Sequence, residues 1–260
     1  MLLRNHLQQA CKRGSKFATS GVVPFLPSAS MSSQQSSKRI IRGIVYDMDG
    51  TVVVPVIDFN EMRRRCGVVQ GDILDVINSR SKEEQDRAYA IIAEIEEQAL
   101  QQMKLMPGAL ELLQHTSSIP RGLITRNVMS SVHHFHNHHL IPAGVPPFIP
   151  AISRECNYEY KPSPQALLHI CNSWGVSPSE VIMVGDSAKD DIVCGNRAGA
   201  LTVLLDYNGM HNYEQQDLQG ELRPTYLVRS LPEFHNLLQK EFQLVPPPHP
   251  HAAIEARDAR

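Results

Sequence analysis

The sequence predicts an α/β protein, a doubly wound parallel sheet with a small all-helical segment inserted after its first strand. Three observations carry that expectation. Short apolar runs with a β-branched bias alternate with helical stretches along most of the chain. From Asp58 to about Met106 the rhythm stops, and roughly fifty residues read as helix throughout. Polar residues gather directly after the apolar runs, where open parallel sheets present their ligand-binding groups.

At 260 residues the chain is long enough for one substantial core plus an insertion. Hydrophobic residues make up 42% and charged ones 20%, an ordinary balance for a soluble enzyme. The net charge of -2 gives no general reason to expect a nucleic-acid partner. No apolar stretch approaches the length of a membrane span. The 5 cysteines, Cys11, Cys66, Cys156, Cys171 and Cys194, form no close pair and read as reduced thiols of an intracellular compartment.

Residues 1–39 read as an address. No Asp or Glu precedes Asp47, Arg4, Lys12, Arg13 and Lys16 are basic, and Ser and Pro dominate from Ser20 to Ser37. This composition suits a mitochondrial or chloroplast transit peptide, with a disordered basic tail as the plainer alternative, and a second start at Met31 would give a cytosolic form. Ile41 to Tyr46 is the first strand. After it, Pro55 argues against a long extension of Val52-Val53-Val54. The insertion, residues 55–106, divides into a short helix with Phe59, Met62 and Cys66, a second with Ile73, Leu74 and Ile77, and a long third. The third opens on Ser81-Lys82-Glu83-Glu84 as a capping box and carries Tyr89, Ile92, Ile95, Glu96, Ala99 and Met103 at helical spacing. Pro107-Gly108 ends it. Residues 40–54 and 107–245 then form the sheet-bearing core. Its strands are expected over Arg121–Thr125, Phe148–Ile152, Val181–Val184, Leu201–Leu205 and Thr225–Val228, with helices over Pro164–Trp174 and Asp190–Ala198. The tail, residues 246–260, reads as disordered.

The first strand ends in Asp47-Met48-Asp49-Gly50-Thr51. Two carboxylates so placed need a cation or donors to offset their desolvation. The second strand delivers Thr125, Arg126 and Asn127. Lys161 follows, just ahead of Pro162 and Pro164 at a helix start, and the fourth strand delivers Gly185-Asp186-Ser187, then Asp190 and Asp191. Each has a plain reading alone: a strand-end hydroxyl, a solvated lysine, a helix-capping aspartate.

Together, in this order and spacing, they resemble the four motifs of the haloacid dehalogenase superfamily from about Ile41 to Leu205. The branch resembled is the phosphoglycolate-phosphatase-like one with a small helical cap, including organelle-targeted plant members. The resemblance implies a Rossmann-like core and a Mg²⁺-dependent phosphatase acting on a small phosphorylated metabolite, with no nucleic-acid or membrane partner. It implies Asp47 as the nucleophile, Asp49 as the general acid and base, and Lys161 as the charge-stabilising partner of Asp47. Thr125, Arg126, Asn127, Gly50 and Thr51 would meet the phosphoryl group, and Asp47, Asp49, Asp186 and Asp191 the metal. The family separates its last acid from the one at Asp186's position by three or four intervening residues, so Asp190 and Asp191 both qualify. Counting back from Gly199 favours Asp191. An acid at Asp49 separates phosphatases from true dehalogenases. A phosphosugar mutase shares all four motifs, and a non-catalytic binding protein is the rival from another class.

Two features of the chain stay open at this level. Any of Arg63, Arg64, Arg65, Arg80 and Arg87 in the cap could meet a second anionic group. The run His133 to His139 invites a metal-site reading through His134 and His138, but Val132, Phe135 and Leu140 take the apolar side and leave the histidines mostly wet.

Overall fold

The computed structural model describes residues 38–248 apart from Gln215. Most of the expected address, including Met31, and residues 249–260 of the tail lie outside the described residues. The strands are β1 (Arg39–Ile41), β2 (Gly43–Tyr46), β3 (Arg121–Ile124), β4 (Ala151–Ile152), β5 (Val181–Gly185), β6 (Leu201–Leu205), β7 (Tyr226–Val228) and β8 (Phe242–Leu244). Six of them form one parallel sheet in the order β4-β3-β2-β5-β6-β7. Strand order reverses beside β2, so β2 and β5 flank the crevice where such sheets bind ligands.

The run read as one strand from Ile41 to Tyr46 is two. β1 pairs in parallel with β8 in a separate two-stranded sheet, and the break falls at Arg42. Arg42 donates its backbone N–H to Glu180 O at 2.8 Å and its guanidinium to the Glu180 carboxylate at 2.8 Å. The strand expected over Phe148–Ile152 shrinks to Ala151–Ile152, because Pro150 supplies no N–H to the ladder.

Both sheet faces are covered, and alternation along the strands divides the core. Ile44, Tyr46, Ile182 and Val184 face one apolar cluster with Phe234 and Leu238. Val45, Val181 and Met183 face the other, with Leu167, Ile170 and Trp174. Trp174 packs closely over Gly43 and Gly122 of the strands. A Cβ on Gly43 would sit 2.4 Å from its ring.

The insertion is helical as composed: α1 (Phe59–Cys66), α2 (Ile73–Asn78) and α3 (Lys82–Gln102). Asp58 and Asp72 cap the first two through backbone amides, and Ser81 with Glu84 forms the capping box of the third. Met62, Cys66, Ile73, Ile77, Ala88 and Ile92 form a small core of its own. The entering and leaving chains are zipped together, with Val54 N–H on Lys104 O at 2.8 Å and Met106 N–H on Val52 O at 3.0 Å.

The remaining helices are α4 (Ala109–His115), α5 (Met129–Phe135), α6 (Gln165–Trp174), α7 (Val193–Ala198) and α8 (Leu231–Glu241). Two of them adjoin π-helical turns. His136–Leu140 continues α5 in this way and rotates His136 inward, where it is buried and its Nε2 accepts from Phe148 N–H at 3.4 Å. The histidine run is therefore less uniformly wet than its sequence suggests. Burial, reinforced by His133, pushes His136 down to about 4. Ala188–Ile192 leads into α7, so the helix expected from Asp190 begins two residues earlier, under a cap in which Ser187 Oγ accepts Asp190 N–H at 3.1 Å. No helix among the described residues is long and apolar enough to cross a membrane.

Candidate active site

A cavity of about 380 Å³ opens between the C-terminal ends of β2, β3 and β5 and the inner face of the cap. Its floor comes from the core. β2 ends at Asp47, whose N–H is held by Val184 O of β5 at 2.9 Å. The chain then folds into a tight turn in which the N–H groups of Val52 and Val53 converge on Met48 O at 2.9 Å. This turn leaves Asp47 and Asp49 both lining the cavity.

Lys161 is the hub. Its Nζ donates to Asp47 Oδ1 at 2.5 Å and to Asp191 Oδ1 at 2.6 Å, and its side chain is only 4% exposed. Burial alone would lower its pKa, but the two carboxylates outweigh it and hold the ammonium above the usual lysine range. Asp191 Oδ2 accepts Ser187 N–H at 3.0 Å. The π-helical turn is what aims Asp191 inward. Asp190, its neighbour, is half-buried beside Ser187, whose hydroxyl donates to it at 3.3 Å.

Burial pushes Asp47 up against the pull of Lys161. Burial also pushes Asp49 above the usual carboxylate range, while Asn127 and Lys161 pull it back. Asn127 Nδ2 holds Asp49 Oδ2 at 2.7 Å. Asp186 is raised to about 8 by burial and by the charges of Asp47 and Asp191, and Asp191 to about 6 by burial against the pull of Lys161. One lysine thus faces four acids and bonds directly to two of them, Asp47 and Asp191.

Oxygen atoms of Asp47, Asp186 and Asp191 lie within 4.8 Å of one another. The backbone makes room for them. A Cβ on Gly50, which sits at φ +76°, would lie 2.0 Å from Asp186 Oδ2, and one on Gly185 would lie 2.1 Å from the Asp191 carboxyl. An all-oxygen, acid-rich cradle of this kind fits a hard divalent cation.

Of the residues expected around a phosphoryl group, Thr125, Arg126 and Asn127 line the cavity. Thr125 is buried and its Oγ1 accepts Asn127 N–H at 3.1 Å, leaving its hydroxyl proton to donate. Gly50 and Thr51 are not brought there. Their N–H groups donate to Val53 O and Met48 O, closing the turn, and the Thr51 side chain is fully buried.

Two links between core and cap went unseen in the sequence. Arg154 grips Glu96 of α3 with both ends of its guanidinium, at 2.6 and 3.1 Å. Arg126 reaches Asp72 at the start of α2 at 2.7 Å. Both signals were present. Glu96 is a carboxylate on the apolar stripe of α3, and Arg154 follows β4 as Arg126 follows β3. The cap lysines are remote: Lys104 is exposed, and Lys82 pairs with Asp86 on the surface.

Comparison with known proteins agrees with this arrangement. Residues 160–234, spanning Lys161 and Asp191, match a family model described as HAD-hydrolase-like. A phosphoglycolate phosphatase of Neisseria meningitidis is 36% identical over 85 residues, 32% of this chain and 34% of that protein. The crystal structure of a predicted phosphoglycolate phosphatase from Haemophilus somnus superposes with a TM-score of 0.60 at 17% identity, over 76% of this chain and 98% of the other, which shows the shared fold. A haloacid dehalogenase-like hydrolase domain-containing protein of Arabidopsis thaliana is 44% identical over 237 residues, 85% of this chain and 94% of its own length. With so much of that relative covered at such identity, the chain belongs to the haloacid dehalogenase-like hydrolases.

Proposed function

We propose that this protein is a Mg²⁺-dependent phosphatase that hydrolyses a small phosphorylated metabolite through an aspartyl-phosphate at Asp47. The observation that carries the reading is the placement of Asp47 and Asp49 at the mouth of one strand, with Lys161 bonded to the first and Asn127 to the second. Similarity over a third of the chain to a phosphoglycolate phosphatase supports phosphomonoester hydrolysis as the reaction class.

A carboxylate oxygen of Asp47 attacks phosphorus, and the bond to the leaving oxygen breaks. Asp49, whose carboxyl burial pushes above the usual carboxylate range, gives its proton to that oxygen. It then takes a proton from water, which attacks phosphorus and releases phosphate from Asp47. Lys161 and the Thr125 hydroxyl face the charge that grows on the phosphoryl oxygens. Asp47, Asp186 and the Asp49 carbonyl would hold Mg²⁺, with Asp191 supporting them. When bound, the cation neutralises phosphoryl charge and offsets the repulsion among the acids.

The test is phosphate release from a panel of phosphorylated metabolites by the full chain, with Asp47→Asn as the blank. Mg²⁺-dependent release confined to the unaltered protein is expected. Release that persists in the blank, or none from any phosphomonoester, contradicts the reading. The same panel separates a mutase, which would return an isomer in place of free phosphate. We also propose that residues 1–39 direct the chain to a mitochondrion or chloroplast. A fluorescent fusion of that segment should enter an organelle, and a diffuse cytosolic signal would refute it.

A further inference from the structure

We infer that Arg63 is a specificity-determining residue, and that the substrate is a phosphomonoester whose apolar body ends in a carboxylate held by that guanidinium. The inference rests on the phosphatase reading and concerns the opposite wall of the same cavity.

The cavity has two chemically different sides. The floor is acidic and polar. The roof is apolar, built by Ile57, Phe59, Met62, Ile73, Leu74 and Ile92. Phe59 is 53% exposed at the rim, a large aromatic ring left uncovered in the cap. A volume of about 380 Å³ lies at the lower end of the ~300–1,000 Å³ typical of pockets that enclose drug-sized ligands. A two-carbon phosphate ester carries little apolar surface to set against such a roof.

Three charged residues interrupt that roof, and two of them, Asp72 and Glu96, are already paired with Arg126 and Arg154 of the core, which leaves Arg63. It is half-buried, lines the cavity, and donates Nη2 to Gly71 O at 2.8 Å. It has no carboxylate partner among the described residues. Every other cation lining the cavity is matched: Lys161 with Asp47 and Asp191, Arg126 with Asp72, Arg154 with Glu96. The four other cap arginines are used elsewhere. Arg64 pairs with Glu61, Arg65 with Glu94 and Arg87 with Glu83, while Arg80 donates to Cys66 O and Gly67 O. One carbonyl leaves most of Arg63's five N–H donors unmet, and its planar fork suits a carboxylate. A second phosphate is larger and more strongly hydrated, and would sit against an apolar wall.

The probes are hexyl phosphate, its ω-carboxylate analogue and phosphoglycolate, with p-nitrophenyl phosphate as the measure of phosphatase activity. The first two share one leaving group, so their ratio reports binding at the far end. The unaltered protein should favour the ω-carboxylate over hexyl phosphate by roughly ten- to a hundredfold in kcat/KM, the worth of one charge-assisted contact, chiefly through KM. It should also favour that long carboxylate over phosphoglycolate. Arg63→Gln should bring the ratio near one, and Arg63→Lys should retain part of it. Arg87→Gln, on the outer surface, should leave the ratio and the rates as they are. A role confined to holding the Gly71 loop would lower all rates together and leave the ratio intact. A wild-type ratio near one, a preference for phosphoglycolate, or a ratio that survives Arg63→Gln overturns the inference. If Arg63→Gln fails to fold, the wild-type ratio and its decline in Arg63→Lys decide instead. Turnover of p-nitrophenyl phosphate without the carboxylate preference sinks this inference alone, whereas no turnover of any ester removes the phosphatase reading and this inference with it.

Discussion

On the floor of the cavity, Lys161 is 4% exposed and touches two carboxylates. On the cap, Arg87 is 73% exposed and touches one, Glu83, itself 78% exposed. Both contacts are ion pairs, but solvent makes them different objects. The floor cluster has lost its water, so removing one partner leaves a buried charge uncompensated, at a cost of about 3–5 kcal/mol. The cap pair keeps its water and contributes about 0.3–0.5 kcal/mol. Between them stand Arg154 and Glu96, 16% and 12% exposed, which join cap to core. The gradient from floor to surface sorts chemistry, docking and solubility.

The sharpest way to break this comparison is at Asp47. Asp47→Asn is nearly isosteric and should leave the fold intact, while turnover falls by at least about a thousandfold. A folded variant with ordinary activity would remove the covalent route. Next come the glycines that make room for the acids. Gly185→Ala should cut activity by more than about tenfold and cost about 1–3 kcal/mol, because its Cβ would overlap the Asp191 carboxyl at 2.1 Å. Gly50→Ala adds the strain of a positive φ. Calorimetry and steady-state rates measure both, and a silent Gly185→Ala would mean that the floor is less tightly built than described.

Proton linkage sharpens the same contrast. Asp186 keeps its proton up to about pH 8 in the folded chain, against an ordinary value of 3.8. The folded state therefore holds more protons than the unfolded one between those values. Without metal, this group's contribution makes stability fall as pH rises through that window. Mg²⁺ must displace the proton, so its effect on Tm should be larger at pH 8 than at pH 6. A metal shift of equal size at both values would count against Asp186 as a ligand. His136 runs the other way. Held near 4 when folded, it should weaken the fold as pH falls from about 6.5 toward 4, and His136→Phe should flatten that acid limb.

The smallest effects belong to the cap. A double-mutant cycle of Arg154→Gln and Glu96→Gln should return a coupling of about 1 kcal/mol and raise KM more than it lowers kcat, since the pair positions the roof. The same cycle on Arg87 and Glu83 should return under about 0.5 kcal/mol. Equal couplings would erase the distinction between docking and surface pairs.

How much of this the sequence reveals follows the same line. The floor is assembled from strand ends, and each strand end writes its residues side by side, so Asp47 with Asp49 and Gly185 with Asp186 can be read as local patterns. Caps are local too, and the box read at Ser81 forms. The contacts that join cap to core are not local. Arg154 and Glu96 are 58 residues apart, and nothing near either names the other. The β1–β8 pair is hidden for the same reason, since Ile41 and Leu244 pair across nearly the whole length of the described chain. The π-helical turn at Ala188–Ile192 leaves no periodic trace, so a helical count could favour Asp191 over Asp190 without foreseeing the turn that aims it.

The central claim is that Asp47 carries the phosphoryl group. Acid quenching of the protein during turnover of its best ester, followed by peptide mass analysis, tests it most directly. The account predicts a phosphoryl group on the peptide that holds Asp47, discharged by mild base and absent from Asp47→Asn. Rapid turnover with that peptide unmodified at every quench time, or the group on another residue, would contradict it.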